Sequence, residues 1–442
     1  MNFIKSLLIF AIAALVSFNL QAQLTTGNVD FDADTLHSME QATVSLSDDN
    51  ELVLIREYIV EHSPDSYTWV GNVQGAGGSR AVLTVNKPNA LGTIQTIQQL
   101  WGLTLTPSSP SPIQEIDPST FPIEAEPIQA PIFTDGFEGL SSPTDEGQGV
   151  ISAGLELDCD DEPSSIDVLV LYTDDATSSA TSLNRDIKEE IKNAVDKAND
   201  SYLSSHITPS EPDGIDLKLR LVHAQELALD EQSYGDIGSL LDDLVNGRLD
   251  GVDELREQYH ADLVSLIVSN KIGEHSGVAY VGGGEVAAFS VVSRTSFDNH
   301  TFTHELAHNF GANHDRFQIG NSDPNKTAYG YVHLNGSNSW RTIMAYPDEC
   351  EVNSVSCDKQ NVFSSPDYEL DSGVPTGVTG TDNRKQLISR APQVACFRDA
   401  PAQEAGKVPA IQREALVALY ESTGGHYWTN TTNWLEGDPC SD

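Results

Sequence analysis

One short segment constrains this chain more than any other. It reads HELAHNFGANH and starts at His304. Side chains four residues apart on a helix point from the same face, so His304 and His308 can reach one ion. Glu305 lies beside them, where it could hold a water against that ion. Gly311 can adopt the left-handed conformation that ends a helix, and the chain would then turn and bring His314 round as a third ligand.

The donor set of this segment points to catalysis. Three histidine ligands leave the fourth position of a zinc ion open for water, as in catalytic and not in closed structural sites. The alternative is a set of histidines that cap or pack a surface helix. A chance match to the five fixed positions, in a chain with 12 His and 33 Gly, has a probability of roughly 10⁻⁴ or less. The sequence therefore predicts one catalytic Zn²⁺ ion, and it leaves any Ca²⁺ site unknown.

The same segment resembles the zinc signature of the metzincin peptidases. Residues 342–346 (TIMAY) resemble the Met-turn that underlies the zinc in these enzymes, with Met344 as the hydrophobic floor. Asp315, directly after the third histidine, is the mark of the reprolysin (adamalysin) group. The resemblance is to secreted bacterial reprolysin-like metallopeptidases and covers about residues 166–398. The resemblance implies that His304, His308 and His314 bind zinc and that Glu305 is the general base.

Tyr346 departs from the reprolysin pattern. Reprolysins usually lack a tyrosine two residues after the methionine, whereas astacins and serralysins have one there. In that position Tyr346 can approach the zinc and the reacting oxyanion, or it can form part of a pocket wall. The mixture leaves the subfamily open, and it does not alter the predicted chemistry.

Apolar patterns around the zinc segment predict an α/β (α+β) catalytic domain with a mixed, mostly parallel twisted sheet. Residues 166–172 (IDVLVLY) are typical of a strand buried on both faces. Residues 183–203 carry apolar side chains at the spacing of an amphipathic helix. The run at residues 286–292, directly before the zinc-binding helix, is predicted to offer a free edge to a peptide substrate in extended conformation. Substrate preference would come from a pocket near Ala345, Tyr346 and Pro347.

The N-terminal third indicates an exported precursor. Lys5 and the apolar run that follows it are typical of a signal peptide, with an N-terminal anchor as the alternative. A β-rich segment and a Pro-rich arm come next, and we interpret both as a propeptide. The predicted divisions are a signal peptide (1–22), a β-rich propeptide (23–106), its linker arm (107–158), a catalytic domain (159–398), a linker (399–410) and a truncated repeat cap (411–442).

The charge of the chain excludes several classes of partner. Asp plus Glu number 66 and Lys plus Arg number 24, so the formal net charge is −42. Such a chain is not expected to bind nucleic acid or an anionic membrane, because both need a basic surface. After the signal peptide, no stretch reaches the ~18 apolar residues of a membrane span. We therefore predict a secreted protein with protein or peptide substrates.

Five cysteines add two expectations. Cys350 and Cys357 are seven residues apart, just beyond the Met-turn, and are expected to close a local loop. In metzincins the domain termini lie near each other, and this resemblance favours a disulfide between Cys159 and Cys396. Alternatively, a Cys159 thiolate could fill the open zinc position as a latency switch, although the usual Cys-Gly context is missing.

The last 32 residues differ from the rest. Residues 411–442 resemble the N-terminal cap of plant-type leucine-rich repeats, and Cys440 of such a cap normally pairs with a cysteine further on. We expect a truncated cap, and a downstream repeat domain would suggest protein binding. The alternative is a small helix with a disordered tail.

Three functions fit these observations. The favoured one is a secreted zinc endopeptidase made as a latent zymogen, in which Glu305 activates a zinc-bound water. A non-catalytic binding protein on a degenerate scaffold is disfavoured because Glu305, the three histidines and Met344 are all present. A zinc amidase or deacetylase is disfavoured by Asp315 and the long propeptide.

Overall fold

The computed structural model describes residues 26–46, 50–108, 112–129, 164–320, 326–371 and 373–398. The predicted signal peptide, Cys159, most of the linker arm and the repeat-like segment lie outside these residues. Among the described residues, no helix combines the length and apolar character that crossing a bilayer requires.

The N-terminal segment folds into a closed barrel of eight antiparallel strands in consecutive order. The sequence predicted a β-rich segment but not that it closes into a barrel. Closure depends on pairing of the first strand with the eighth, for example Gly27 with Ile113. Closure removes the free edges that an open sheet would expose. Trp69 and Trp101 fill the interior. The strands are β1 (Thr26–Val29), β2 (Gln41–Leu46), β3 (Glu51–Ser63), β4 (Ser66–Val73), β5 (Arg80–Asn86), β6 (Asn89–Gln95), β7 (Leu100–Leu105) and β8 (Ile113–Ile116).

The second unit is built on a mixed six-stranded sheet. Its strands are β9 (Ile128–Gln129), β10 (Ser165–Thr173), β11 (Lys218–Leu227), β12 (Leu263–Val268), β13 (Gly277–Val281) and β14 (Phe289–Ser293). Their order in the sheet is β11-β10-β12-β14-β13-β9. Four of its five neighbouring pairs are parallel, and the pair of β13 with β14 is antiparallel. β10 is buried along its whole length because helices cover both faces of the sheet.

The prediction of a free edge at residues 286–292 is wrong. β14 lies between β12 and β13, so its backbone groups are paired on both sides. A run that is apolar on both faces is typical of a central strand, which is the physical reason for the difference. The strand beside the cleft is β13, and its outer side pairs in parallel with β9 from the N-terminal segment.

Eight α-helices, six short 3₁₀ helices and five short strands complete the described part of the chain. One hydrophobic cluster contains residues of the second and fifth helices together with Met344, and another lies against the third and fourth helices. The helices are α1 (Asp174–Ser182), α2 (Ile187–Ser204), α3 (Ile237–Val245), α4 (Val252–Gln258), α5 (Thr301–Asn309), α6 (Arg316–Ile319), α7 (Asp348–Val352) and α8 (Asn383–Val394). The remaining strands are β15 (Val332–His333), β16 (Trp340–Arg341), β17 (Asp358–Lys359), β18 (Glu369–Asp371) and β19 (Val374–Pro375).

The barrel docks on α2 through polar side chains. Glu189, Asn193, Asp196 and Asp200 repeat at helical spacing and therefore share one face of this helix. Asn193 Nδ2 donates to the carbonyl of the barrel residue Val82 over 3.1 Å. Further contacts across this interface are Ser66 Oγ to Glu189 Oε2 at 3.2 Å, His62 Nε2 to Asp196 Oδ2 at 2.9 Å and Arg80 Nε to Asp200 Oδ2 at 2.9 Å.

Candidate metal centre and its cleft

The helix α5 brings two of the predicted ligands together. Every residue of α5 is buried, and His304 and His308 lie one turn apart on it. Gly311 has a φ of +90°, which a glycine adopts without the steric cost that other residues meet. This turn ends the helix and returns the chain so that His314, also fully buried, faces the other two histidines.

The three histidines present their Nε2 atoms to one another. Each pair of Nε2 atoms, in His304, His308 and His314, is 3.1 Å apart. The Nδ1 atom of His304 lies 2.9 Å from the carbonyl of Ile343, and that of His308 lies 2.8 Å from the carbonyl of Ala312. A carbonyl can only accept, so Nδ1 carries the proton in both rings and Nε2 is left as a lone pair.

Converging lone pairs in a buried space favour the binding of a cation. Burial lowers the pKa of His304 well below its usual range and that of His308 to about 3, which keeps both rings neutral and able to bind metal. Nitrogen atoms 3.1 Å apart can all lie at the ~2.0–2.1 Å of a Zn–N bond from one point. The three predicted ligands are therefore brought together in a set that fits one metal ion.

Glu305 lies in the same buried region without a hydrogen bond. Both of its carboxylate oxygens are buried and have no partner among the described residues. A Cβ atom at Gly277 would lie 2.4 Å from Glu305 Oε1, so a side chain at this position of β13 would displace the carboxylate. Burial raises the pKa of Glu305 well above its usual range, and the neighbouring charge of Glu124 adds to this effect.

Asp315 connects the third histidine to the Met-turn. Its Oδ1 accepts hydrogen bonds of 3.0 Å from the backbone N–H groups of Phe317 and Gln318, and so caps α6. Its Oδ2 accepts one of 2.8 Å from the backbone N–H of Tyr346. The ring of Tyr346 lies 4.2 Å from that of His314, centroid to centroid. Met344 is fully buried in the cluster that contains the core residues of α5.

Comparison with known proteins identifies this unit. The family described as metallo-peptidase family M12, of the reprolysin type, matches residues 162–356. Residues 162–356 form a reprolysin-like metallopeptidase domain. A peptidyl-Asp metalloendopeptidase of Xanthomonas campestris pv. campestris is 26% identical over 354 residues, which are 75% of this chain and 75% of the relative. A protein of the same description from Pseudomonas aeruginosa PAO1 is 30% identical over 265 residues, which are 53% of this chain and 41% of that relative.

Two solved structures are also similar to this metallopeptidase. One is a chain from a chaperone–substrate complex, with 17% identity and a TM-score of 0.40, covering 53% of this chain and 35% of that chain. The other is metalloproteinase-II from Bacteroides fragilis, with 12% identity and a TM-score of 0.37, covering 61% of this chain and 79% of that chain. The curated relatives and the family together make the protein a metalloendopeptidase, a hydrolase of peptide bonds.

Residues 122–129 of the same chain, which follow the barrel, occupy the cleft of the metallopeptidase. We call them the cleft segment. Its backbone pairs with the sheet edge: Ser276 N donates to the carbonyl of Ile123 over 2.9 Å, and Ala125 N donates to that of Gly277 over 2.8 Å. The hydroxyl of Tyr346 donates to the carbonyl of Glu124 over 2.7 Å. The cleft segment therefore takes the extended form expected of a peptide bound at this edge.

The side chain of Glu124 enters a buried pocket. Lys359 Nζ lies 2.6 Å from Glu124 Oε1, and Thr301 Oγ1 donates to the same oxygen over 2.9 Å. Arg341 is also buried there and donates to the carbonyls of Cys357 and Ala345. We call Lys359, Thr301 and Arg341 the carboxylate pocket. Burial alone would raise the pKa of Glu124, but the ammonium of Lys359 holds it well below its usual range.

Glu126, two residues further along the cleft segment, lies over the metal ligands. Its Oε2 is 3.5 Å from His314 Nδ1, and Gln318 Nε2 donates to its Oε1 over 2.5 Å. These contacts lower the pKa of Glu126 to about 2. Unlike Glu124, it is largely exposed, with 61% of its side-chain surface accessible.

Sequence reasoning missed the carboxylate pocket and its occupant. Lys359 is a single basic residue 15 positions beyond Met344, and Glu124 is one of several acidic residues in a Pro-rich stretch. Neither belongs to a spaced motif. The available signal was the scarcity of basic residues: a lysine that directly follows a predicted disulfide loop stands out in a chain with only 24 Lys and Arg.

The cysteines are placed as follows. Cys350 and Cys357 form a disulfide with a Cα–Cα distance of 6.2 Å, which closes the expected local loop. Cys396 is also disulfide-bonded, and its predicted partner Cys159 lies outside the described residues. The pairing of Cys159 with Cys396 therefore stays a prediction, as does the alternative role of Cys159 as a latency switch.

Proposed function

We propose that this metalloendopeptidase is a secreted zinc enzyme made as a latent precursor, with the barrel and the cleft segment as its inhibitory propeptide. The observation that carries the proposal is the occupancy of the cleft. The strand edge beside the metal ligands, the Tyr346 hydroxyl and the carboxylate pocket are all engaged by residues 122–129. A substrate needs the same groups, so the uncleaved chain excludes it from the active site.

The metal we propose is zinc, held by His304, His308 and His314. Neutral imidazole is a favoured zinc ligand, and three histidines with an open fourth position are a known catalytic set. Held by these histidines, zinc would supply Lewis-acid chemistry: it would lower the pKa of a coordinated water towards ~7 and polarise the scissile carbonyl.

Two residues of this chain handle the charge and the proton. Glu305, which has no hydrogen bond among the described residues, takes the proton of the attacking water and then delivers it to the leaving amine as the C–N bond breaks. Tyr346 Oη, which contacts a peptide carbonyl in the precursor, donates to the oxyanion that forms at the scissile carbonyl.

For the substrate we propose polypeptides cleaved beside an acidic residue. The two curated relatives are named as peptidyl-Asp metalloendopeptidases. The cleft segment of this chain, which binds as an extended strand, carries a glutamate in the buried pocket next to the metal ligands. Both observations support an active site that accepts a carboxylate beside the scissile bond.

The test is hydrolysis of casein by precursor and processed enzyme, each with and without a zinc chelator. We expect the processed enzyme to be active, the chelator to abolish that activity, and added Zn²⁺ to restore it. Glu305→Gln should lower kcat by roughly 10²- to 10⁴-fold at unchanged zinc content. Glu254→Gln, on the exposed face of α4, is the matched control and should have no effect.

Three outcomes would overturn parts of the proposal. Chelator-resistant hydrolysis, or full activity in Glu305→Gln, would refute the zinc mechanism. An uncleaved precursor as active as the processed enzyme would refute latency. Export is tested separately: the secreted product of a host that carries the gene should begin at Gln23 or later, and not at Met1.

A further inference from the structure

We propose that Lys359 is the specificity-determining residue of this enzyme: its ammonium binds the side-chain carboxylate of an acidic substrate residue, and Glu124 takes that place in the precursor. The inference rests on the proposed function and assigns its selectivity to one side chain.

The first argument is the burial of the pair. Only 1% of the Lys359 side-chain surface and 3% of that of Glu124 are accessible. A buried charge is costly unless a hydrogen-bonded opposite charge accompanies it. Within the described part of the chain, Glu124 is the carboxylate that Lys359 Nζ binds, and it comes from the segment that must leave for a substrate to enter.

The second argument is what remains when the cleft segment leaves. The charge of Glu305 also acts on Lys359, more weakly than that of Glu124, and the Glu305 carboxylate makes no hydrogen bond among the described residues. The guanidinium of Arg341 adds a second buried positive charge and donates to backbone carbonyls. The emptied pocket therefore holds an ammonium without its partner, and an incoming carboxylate restores the pair, whereas an amide of equal size does not.

The third argument is the position of the pocket. Thr301, which donates to Glu124, stands one helical turn before Glu305 on α5. The carbonyl of the same Glu124 residue accepts from Tyr346, whose ring packs on His314. One residue of a bound chain thus reaches the carboxylate pocket with its side chain and the metal centre with its backbone. A residue adjacent to the scissile bond would do the same.

The experiment compares two pairs of fluorogenic peptides that differ only in Asp against Asn, or Glu against Gln, beside the cleaved bond. The enzyme is released from its full-length precursor at an added protease site placed within residues 130–163, so that release does not depend on its own activity. We expect wild-type kcat/KM to favour the acidic peptide by about 10²-fold or more. Lys359→Met should abolish that preference, whereas Lys188→Met, an exposed lysine on α2, should retain it.

The second experiment is a double-mutant cycle that isolates the interaction between Glu124 and Lys359. The inhibitors are synthetic peptides of residues 121–129, unaltered or carrying Glu124→Gln or Glu126→Gln. Against wild-type enzyme, Glu124→Gln should weaken inhibition by more than 10-fold. Against Lys359→Met that difference should vanish, while any effect of Glu126→Gln should persist, because only the first substitution removes the partner of Lys359.

Several outcomes would overturn the inference. Equal inhibition of the wild-type enzyme by the unaltered and Glu124→Gln peptides would do so even if Lys359→Met failed to fold. Equal losses of kcat/KM on acidic and neutral peptides in Lys359→Met would assign Lys359 a merely structural role. If the wild-type enzyme cleaves no peptide of either pair but digests casein in a chelator-sensitive way, the proposed endopeptidase survives and the specificity assignment fails.

Discussion

The hydroxyl of Tyr346 lies 2.7 Å from the backbone carbonyl oxygen of Glu124, to which it donates a hydrogen bond. The ring that carries this hydroxyl packs 4.2 Å from the ring of His314, so the contact is made directly beside the metal ligands. Burial, together with the charges of Glu124 and Glu305, raises the pKa of Tyr346 well above its usual range. The tyrosine is therefore a protonated donor at every working pH, aimed at a peptide carbonyl.

Tyr346→Phe should slow catalysis while it preserves the site. The ring and its packing remain, but the donor to the oxyanion is lost, and we expect kcat to fall by roughly 10²-fold with little change in KM. Zinc content, measured by atomic absorption, should match that of the parent. A parental kcat in the mutant would mean that Tyr346 acts only as part of the pocket wall.

Asp315→Ala should destabilise the active-site domain. It removes the cap of α6 and the acceptor for the Tyr346 N–H, and together these cost about 2–4 kcal/mol in the free energy of unfolding by urea. The control is Asp382→Ala, which removes the cap of α8 alone and should cost about 1 kcal/mol without changing kcat. Equal losses in the two variants would mean that the bond to Tyr346 contributes little.

Arg80→Ala should raise the peptidase activity of the uncleaved precursor. Arg80 of the barrel binds the fully buried carboxylate of Asp200 on α2. Its removal leaves that charge, among the described residues, with the neutral partners Tyr58 and Asn361. We expect docking to weaken by about 2 kcal/mol or more. Hydrolysis of a short peptide by the intact precursor should then rise over the parent. Arg248→Ala, on the exposed surface after α3, serves as the control and should leave the precursor latent.

The precursor should process itself at an acidic residue. Residues 88–184 contain no Lys or Arg, so an activating protease of trypsin-like specificity has no site between the barrel and the catalytic domain. Residues 130–163 contain several aspartates, among them Asp135 and Asp145. Purified wild-type precursor should be cut beside one of them, as mass spectrometry would reveal, while Glu305→Gln stays intact. Cleavage of the mutant at the parental rate in isolation would contradict self-processing.

Acid should weaken the hold of the cleft segment through Glu124. In the free segment this carboxyl titrates near its ordinary value of 4.5, and in the bound state Lys359 keeps its pKa far lower. The free state therefore takes up the proton first. The contribution of the Glu124 carboxylate to the affinity of the cleft segment is complete above about pH 4.5. Below this pH the affinity falls by up to tenfold per pH unit. The ratio of inhibition constants of the Glu124→Gln and unaltered 121–129 peptides should be constant from pH 6 to 8 and shrink below 4.5.

The convergence of the three histidines could be predicted because its determinants are local. His304 and His308 are one helical turn apart, Gly311 supplies the positive φ that ends the helix, and His314 follows within three residues. These spacings act through helix geometry alone, whatever the rest of the chain does. The loop closed by Cys350 and Cys357 is local for the same reason.

Only the tertiary structure decided where the substrate edge lies and what fills it. Whether β14 or β13 borders the cleft depends on which strands pair. The apolar run of β14 is typical of a central strand, but it does not specify which strand lies between β14 and the cleft. Glu124 and Lys359 are 235 residues apart, and neither belongs to a periodic pattern. Their contact exists because the barrel packs on α2 and its connection runs along β13 to the metal centre. A buried charge pair of this kind is defined by three-dimensional proximity, since the low dielectric that makes it matter is itself created by folding.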